Sequence, residues 1–265
     1  MKYKKEISSG TSYLNPSRFI SGRIVEYDIR SANISALLDA GAIDIDQYNR
    51  LNIMTQDIRE KEIGLLIRDN PKIYDIIKEK ILESRNYFLE SNNIDPNNIV
   101  RIANDAVYIN THVDLQYTKY GNTIEYRQKS ISNIYINLNK ILFFIGFLPD
   151  GNISVDVKGL GKKSKLHEQY IISFIAYTIT ILERSGIIEA INYFNDITQQ
   201  YLALQLPVGY YRELNEDSGY RVKNYNRYIL SEIGEQDKYI LDIGYNYNII
   251  RELWSILIEL YSMRR

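Results

Sequence analysis

The chain contains no cysteine. That excludes disulfides, thiolate nucleophiles and cysteine-ligated zinc, and it fits a reducing, cytosolic compartment. It contains only two histidines, His112 and His167, so a histidine-rich metal centre is excluded as well. Both are read as ordinary surface or loop residues. Neither sign of charge is in excess: 32 Lys and Arg stand against 33 Asp and Glu, for a net charge of −1. Any contact with nucleic acid must therefore come from a local patch rather than a generally basic surface. Long hydrophobic runs are lacking too. The most apolar stretches, Leu138–Leu148 and Tyr170–Leu182, fall short of the roughly 20 residues that span a bilayer. Both read as buried core, and no membrane partner is expected. No apolar stretch follows Met1-Lys2-Tyr3-Lys4-Lys5-Glu6, so a signal peptide is not expected. Internal repeats and low-complexity linkers are absent.

What is present is the material of a soluble globular protein. At 265 residues, with 45% hydrophobic and 25% charged residues, the chain can bury a sizeable core in one large or two small domains. The 24 tyrosines and the heavy use of Ile and Asn suggest an AT-rich genome. A viral source, and with it the host cytoplasm as the place of action, is the expectation.

Residues 1–22 are polar and carry Gly10, Pro16 and Gly22; they read as an N-terminal arm. A strand is expected over 23–29, then a helix from Ser31 through Leu38 that ends near Gly41. Further helices are expected over 46–51, 55–69 and 71–91, with Pro71 at a helix start. On the last of these, Ile73, Ile76, Ile77 and Ile81 share a face, and Lys78, Glu79 and Arg85 lie elsewhere. A hairpin over 99–109 follows. Gly121-Asn122 marks another turn, and strands are expected over 123–128 and 133–138. Leu142–Phe147, the turn Pro149-Asp150-Gly151-Asn152 and Ile153–Val157 form a further hairpin. The period then becomes helical over His167–Leu182 and Gly186–Leu206, the second helix stopped by Pro207. A small Tyr-rich antiparallel element is expected over 219–245, and a closing helix over Asn248–Ser262 in which Trp254 anchors the core. A boundary falls near 160–166.

Two segments carry chemistry. Ile24-Val25-Glu26-Tyr27-Asp28-Ile29-Arg30-Ser31-Ala32-Asn33 and Ile99-Val100-Arg101-Ile102-Ala103-Asn104-Asp105-Ala106-Val107-Tyr108-Ile109 each place a carboxylate at the edge of a β-branched run. The second reads as strand, tight turn, strand. Carboxylates on neighbouring strands of one sheet can grip a pair of divalent cations, which is the minimal apparatus for nucleotidyl transfer by in-line displacement.

These segments resemble the palm motifs of the family B DNA polymerases. The first family motif, Asp-x-x-Ser-Leu-Tyr-Pro, matches Asp28 and Ser31 in register. The second, Asp-Thr-Asp-Ser before an apolar strand, matches Asp105. Its first acid falls on Ala103, and Asn33 stands where the family places a sugar-discriminating tyrosine. The family's later Lys-x-Tyr stretch, hairpin and Lys-Gly element correspond in order to Lys140-Ile141-Leu142-Phe143, the Asp150-Gly151 turn and Val157-Lys158-Gly159-Leu160-Gly161-Lys162-Lys163-Ser164-Lys165.

The resemblance covers roughly residues 23–200. It implies an α+β protein with an antiparallel, polymerase-palm-like sheet and packed helices, followed by a mainly helical thumb-like region. The palm would span 23–160, with a short finger-like helical insertion at about 42–95, and the thumb 161–265. No upstream proofreading domain is expected. The chain would be a bare palm and thumb, or one piece of a split enzyme.

The same resemblance implies roles. Asp28 and Asp105 would be the catalytic, metal-holding carboxylates for Mg²⁺ or Mn²⁺, and the Ile29 carbonyl would add a ligand. The amides at Ser31, Ala32 and Asn33 would cradle phosphate at a helix start. The family's finger motif is absent in recognisable form, and Arg59, Lys61 and Arg68 would reach the nucleoside triphosphate in its place. Lys140, Lys158, Gly159, Lys162, Lys163 and Lys165 would hold primer–template phosphates. Partners would be primer–template nucleic acid, nucleoside triphosphates and further replicase subunits.

Each feature also has a plainer use. Asn104-Asp105 is a good turn dipeptide in its own right. Arg59, Lys61 and Arg68 alternate with Glu60 and Glu62, as on a salt-bridged helix face. The lysine run at 162–165 suits a solvated helix start. The Tyr-rich segment 208–228 suits cross-strand packing as well as base stacking. Two rival functions follow: a catalytically degenerate palm that binds nucleic acid or serves a replication complex, and a globular viral interaction protein with no nucleic-acid role.

Overall fold

The computed structural model describes residues 3–159, 172–203, 205, 206, 210 and 240–263, with the side chains of 240–246 left aside. The chain forms two compact units. The first holds residues up to Pro16 and Ser21–Asn133; the second holds Ser17–Ile20 and Ile134–Arg265. The architecture is α+β with antiparallel strand pairing.

The first unit begins with α1 (Lys5–Ser8) and β1 (Ser12–Leu14), so the expected arm is ordered structure. Next comes β2 (Phe19–Ile29), which starts four residues before the expected strand because Ser21-Gly22 does not break it. Gly22 has φ +140°, and a Cβ there would lie 2.5 Å from Asn110 Oδ1. The close approach of these chains requires glycine.

The expected helices form as α2 (Ala32–Asp39), α3 (Ile45–Asn52), α4 (Gln56–Asp69) and α5 (Lys72–Ser91). Asp44 caps α3 by accepting from the Gln47 amide at 2.7 Å. The hairpin is β3 (Ile99–Ala103) and β4 (Ala106–Asn110). Asn104, at φ +54°, supplies the left-handed residue that the turn needs. The short β5 (Lys119–Tyr120) pairs with β6 (Ile124–Leu138). Strand order in this unit is β1-β3-β4-β2-β6.

The two strands expected at 123–128 and 133–138 are one continuous β6. The polar run Arg127-Gln128-Lys129-Ser130 suggested a break. It is instead the stretch of the strand whose side chains reach the acids of β2: Lys129 meets Asp28, and Ser130 meets Glu26.

Alternation on β2 sorts its side chains by face. Val25, Tyr27 and Ile29 enter an apolar cluster with Phe88, Leu89, Ile102 and Val107, leaving Glu26 and Asp28 to the other face. Phe88 of α5 stacks on Tyr126 at 4.3 Å and lies 5.3 Å from Tyr27. A second cluster joins Ile34, Leu37, Leu51, Ile63, Ile73 and Ile77, so α2 through α5 share one core.

The second unit takes the end of β6, then β7 (Ile141–Phe147), β8 (Ile153–Lys158), α6 (Ser173–Arg184), α7 (Ile187–Leu202) and α8 (Ile240–Met263). Inward residues of β6 and β7, among them Ile134, Ile136, Phe143 and Ile145, pack on Phe174, Ile179, Leu253 and Leu257. Arg18 donates to Glu252 and Ser255 at 3.0 Å and to Glu259 at 2.5 Å. These lie three or four residues apart, hence on one face of α8. Trp254 stacks on Phe194 at 5.3 Å, as the expected anchor should.

The helix α7 ends at Leu202, short of the expected Leu206, where Ala203 leaves helical geometry. Residues 240–245, expected in the Tyr-rich antiparallel element, are the first turns of α8. The rest of that element, at 219–239, and His167 lie outside the described residues. No helix among the described residues is long and apolar enough to cross a membrane.

Candidate active site

The register of the sheet brings the two carboxylates together. Tyr27 of β2 lies opposite Val107 of β4, so Asp28 comes one step beyond, beside the Asn104-Asp105 turn. The two side chains are within hydrogen-bonding reach of each other. Burial pushes the Asp105 carboxyl up to about 6, and the neighbouring charge of Asp28 pushes the same way. Two acids held this close in a half-buried place repel when both are ionised. Such a pair either keeps a proton to higher pH or takes up compensating positive charge.

One cation is supplied by the chain. Lys129 Nζ donates to Asp28 Oδ2 at 2.8 Å and lies 3.4 Å from Glu26 Oε1. The bond to Asp28 holds the lysine pKa above its usual range. Glu26 is almost fully buried and serves the site from behind. It accepts from the Tyr108 hydroxyl at 2.9 Å and from Ser130 Oγ at 2.8 Å.

Asp28 and Asp105 open onto a cavity of about 560 Å³ that lies wholly in the first unit. Ile29, Ser31, Ala32 and Asn33 line the wall beside Asp28, and Arg59 reaches it from α4. Ser31 takes a left-handed conformation (φ 51°, ψ 44°) and so turns the chain sharply from β2 into α2. No side chain among the described residues caps α2. The amides of its first turn are therefore open to an anion bound at that wall.

Lys61 and Arg68 do not line the cavity. At 3.6 residues per turn they are rotated by roughly 200° and 180° from Arg59, onto the far side of α4. Arg68 pairs with its neighbour Asp69 at 3.1 Å. The salt-bridged face weighed for this helix does not form either. Arg59 and Lys61 make no ion pair among the described residues, and Glu60 accepts from Gln56.

Several lining residues had no signal in the sequence. Lys78 and Tyr74 face the cavity from α5, with the buried Arg85 behind its wall, Arg30 from just past β2, Thr11 from the arm and Lys129 from β6. The helical period on α5 identified the apolar face, and what remained looked like ordinary polar surface. Arg59 and Lys78 thus bring positive charge from two helices into a cavity that holds both acids.

The expected nucleic-acid residues lie in the second unit. Asn139 and Lys140, at φ 51° and 71°, form the tight turn between β6 and β7. A Cβ on Gly159, whose φ is +91°, would lie 2.5 Å from the Lys140 carbonyl, so Lys140 and Lys158-Gly159 are neighbours. The Lys158 ammonium is paired with Asp156 at 2.8 Å. Lys162, Lys163 and Lys165 lie outside the described residues.

Oxygen donors suit Mg²⁺ or Mn²⁺, which are commonly held by one or two carboxylates plus substrate phosphates. No group of three or more acidic, histidine or cysteine side chains able to hold a metal occurs among the described residues. Asp28 and Asp105, with the backbone at Ile29, fit the sparser arrangement, in which phosphates and water complete the coordination.

The profile of one protein family, described as the Bacteriophage PBS1 gene 130 protein, matches residues 7–259. The chain belongs to this family. The match takes in both carboxylate segments, all of β1 to β8 and most of α8. A family named for a bacteriophage gene agrees with the viral source expected from composition. No curated protein matches the chain.

Proposed function

We propose that this protein is a nucleotidyltransferase, a minimal DNA-polymerase-like enzyme that extends a primer with nucleoside triphosphates in the host cytoplasm. The observation that carries the reading is the pairing of Asp28 and Asp105 at one end of a cavity whose helical walls bear Arg59 and Lys78. The order of parts supports it: strand with Asp28, helices, hairpin with Asp105 paired back onto that strand, then helices that would act as the thumb.

A pair of divalent cations, when bound, would lower the pKa of the primer 3′-hydroxyl and neutralise the triphosphate. The chain's residues supply position and charge. Asp28 and Asp105 orient the reacting groups. The amides at Ser31–Asn33, with Arg59 and Lys78, hold the triphosphate tail. Lys140 and Lys158-Gly159 hold template and primer phosphates, and further replicase subunits would complete the interface.

The test is Mg²⁺- and Mn²⁺-dependent extension of a labelled hairpin, with dNTPs and rNTPs in parallel. Wild type should extend it; Asp28→Ala and Asp105→Ala should remain folded and inactive. An Asp105→Ala variant as active as wild type overturns the reading.

Two observations favour a second reading. Lys129 already supplies positive charge to Asp28, and Ala103 offers no side-chain ligand where the resembled family has an acid. A palm of this kind would bind primer–template without turnover. Hairpin binding without extension, unchanged in Lys129→Met, would support it.

A further inference from the structure

The N-terminal segment looks expendable in sequence, yet its contacts converge on the turn that carries Asp105. Arg85 is completely buried, and no carboxylate pairs with it among the described residues. Its Nη2 donates to the carbonyls of Ile7 at 3.0 Å and Gly10 at 2.6 Å, and its Nη1 lies 3.5 Å from the carbonyl of Asn104. Its Nε has no partner among the described residues. A buried guanidinium without an acid is costly, and a hydrophobic side chain of similar volume would fill the same space at lower cost. What the guanidinium adds is a fork that fastens the arm on one side and touches the turn on the other.

The arm completes the link. The Asn104 amide donates to the Thr11 carbonyl at 2.8 Å, one residue from the carbonyl that Arg85 holds. Ser12 then pairs with Ala103, and Tyr13 with Ile102. Asn86 of α5 donates to the Ser8 carbonyl at 2.9 Å, and the Tyr3 hydroxyl lies 2.9 and 2.8 Å from the carbonyls of Leu89 and Ile94. Gly10 leaves no slack: a Cβ there would lie 2.4 Å from the Glu6 carbonyl oxygen. Thr11 itself is part of the cavity wall.

We propose that the segment Tyr3–Leu14 is a positioning element of the carboxylate site: Arg85 holds it through Ile7 and Gly10, and its Thr11 carbonyl fixes the Asn104-Asp105 turn. This deepens the two-carboxylate reading of the same cavity and rests on it for its functional meaning. The clamp itself is a statement about backbone order. Arg85 and the arm act through the turn.

The test uses full-length protein carrying Gly10→Ala, Arg85→Lys or Arg85→Met. Two readouts are taken: amide hydrogen exchange across residues 99–110, and Mn²⁺ affinity by electron paramagnetic resonance. Loss of one such bond to a charged donor should speed exchange at the turn by about tenfold or more. Positioning groups of this kind change metal affinity by about ten- to a hundredfold. Gly10→Ala and Arg85→Met should show both effects, and combining Gly10→Ala with Arg85→Lys should add little to either alone. Gly10→Ala keeps the test open if Arg85→Met does not fold. Faster exchange in residues 3–14, with the turn and Mn²⁺ affinity as in wild type, would overturn the proposal. Absence of Mn²⁺ binding in wild type would refute the two-carboxylate reading, and exchange at the turn would still decide the clamp.

Discussion

Replacing Asp105 with asparagine should make the protein more stable at alkaline pH while removing its activity. The folded carboxyl holds its proton to about pH 6, against an ordinary value of 3.8, because burial and the charge of Asp28 both disfavour ionisation. Between those two values folding takes up a proton, so stability falls as the pH rises. At about 1.4 kcal/mol per pH unit, the full loss is about 3 kcal/mol and is complete above about pH 6. Asparagine has nearly the same shape and does not ionise, so Asp105→Asn escapes the loss. At pH 8 in chelator the variant should be more stable by about 2–3 kcal/mol, which corresponds to about 4–12 °C in Tm. At pH 4 the two proteins should melt together. Denaturation of both between pH 4 and 8 measures this directly. Mg²⁺ should raise the Tm of wild type and leave the variant unchanged. A variant less stable than wild type at pH 8, or a gain that does not shrink towards pH 4, would refute the argument that the two acids are held together against their repulsion.

Three further outcomes are expected. Arg59→Ala and Lys78→Ala should each raise the KM for the triphosphate more than they lower kcat in steady-state extension, since both are placed to hold the tail rather than the reacting end. Phe88→Ala should cost about 3–5 kcal/mol in urea unfolding, because it removes a fully buried ring that stacks on Tyr126 and meets Tyr27 at a tilt. Gly159→Ala should destabilise the turn against Lys140 and weaken hairpin binding more than Lys158→Ala, whose charge is already paired with Asp156.

The parts of the fold governed by short-range rules were legible in the sequence. The Asn104-Asp105 turn announced its hairpin, and the period of α5 gave its apolar face. Asp28 stood out because it ends a β-branched run. That Asp28 and Asp105 share one site was carried by the resemblance to the palm motifs, since local periodicity does not say which strand lies beside β2. What was hidden depends on distant partners. Lys129 looked like the gap between two strands because its partner, Asp28, lies a hundred residues earlier. Arg85 looked like a solvated residue of an amphipathic helix, and nothing in the period marks a cation buried against three carbonyls. Ser31 has the sequence signature of an ordinary helix start, whereas its left-handed backbone is set by the reversal from β2 into α2.

The pairing of β1 with β3 also sets an order of events during synthesis. Ser12 leaves the ribosome about ninety residues before its partner Ala103, a delay on the order of ten seconds at typical elongation rates. During that interval Tyr3 and Ile7, both buried in the finished protein, have no sheet to pack against. The Tyr3–Leu14 segment is thus made well before it can be seated, and nascent chains should remain vulnerable to protease there until the hairpin has emerged.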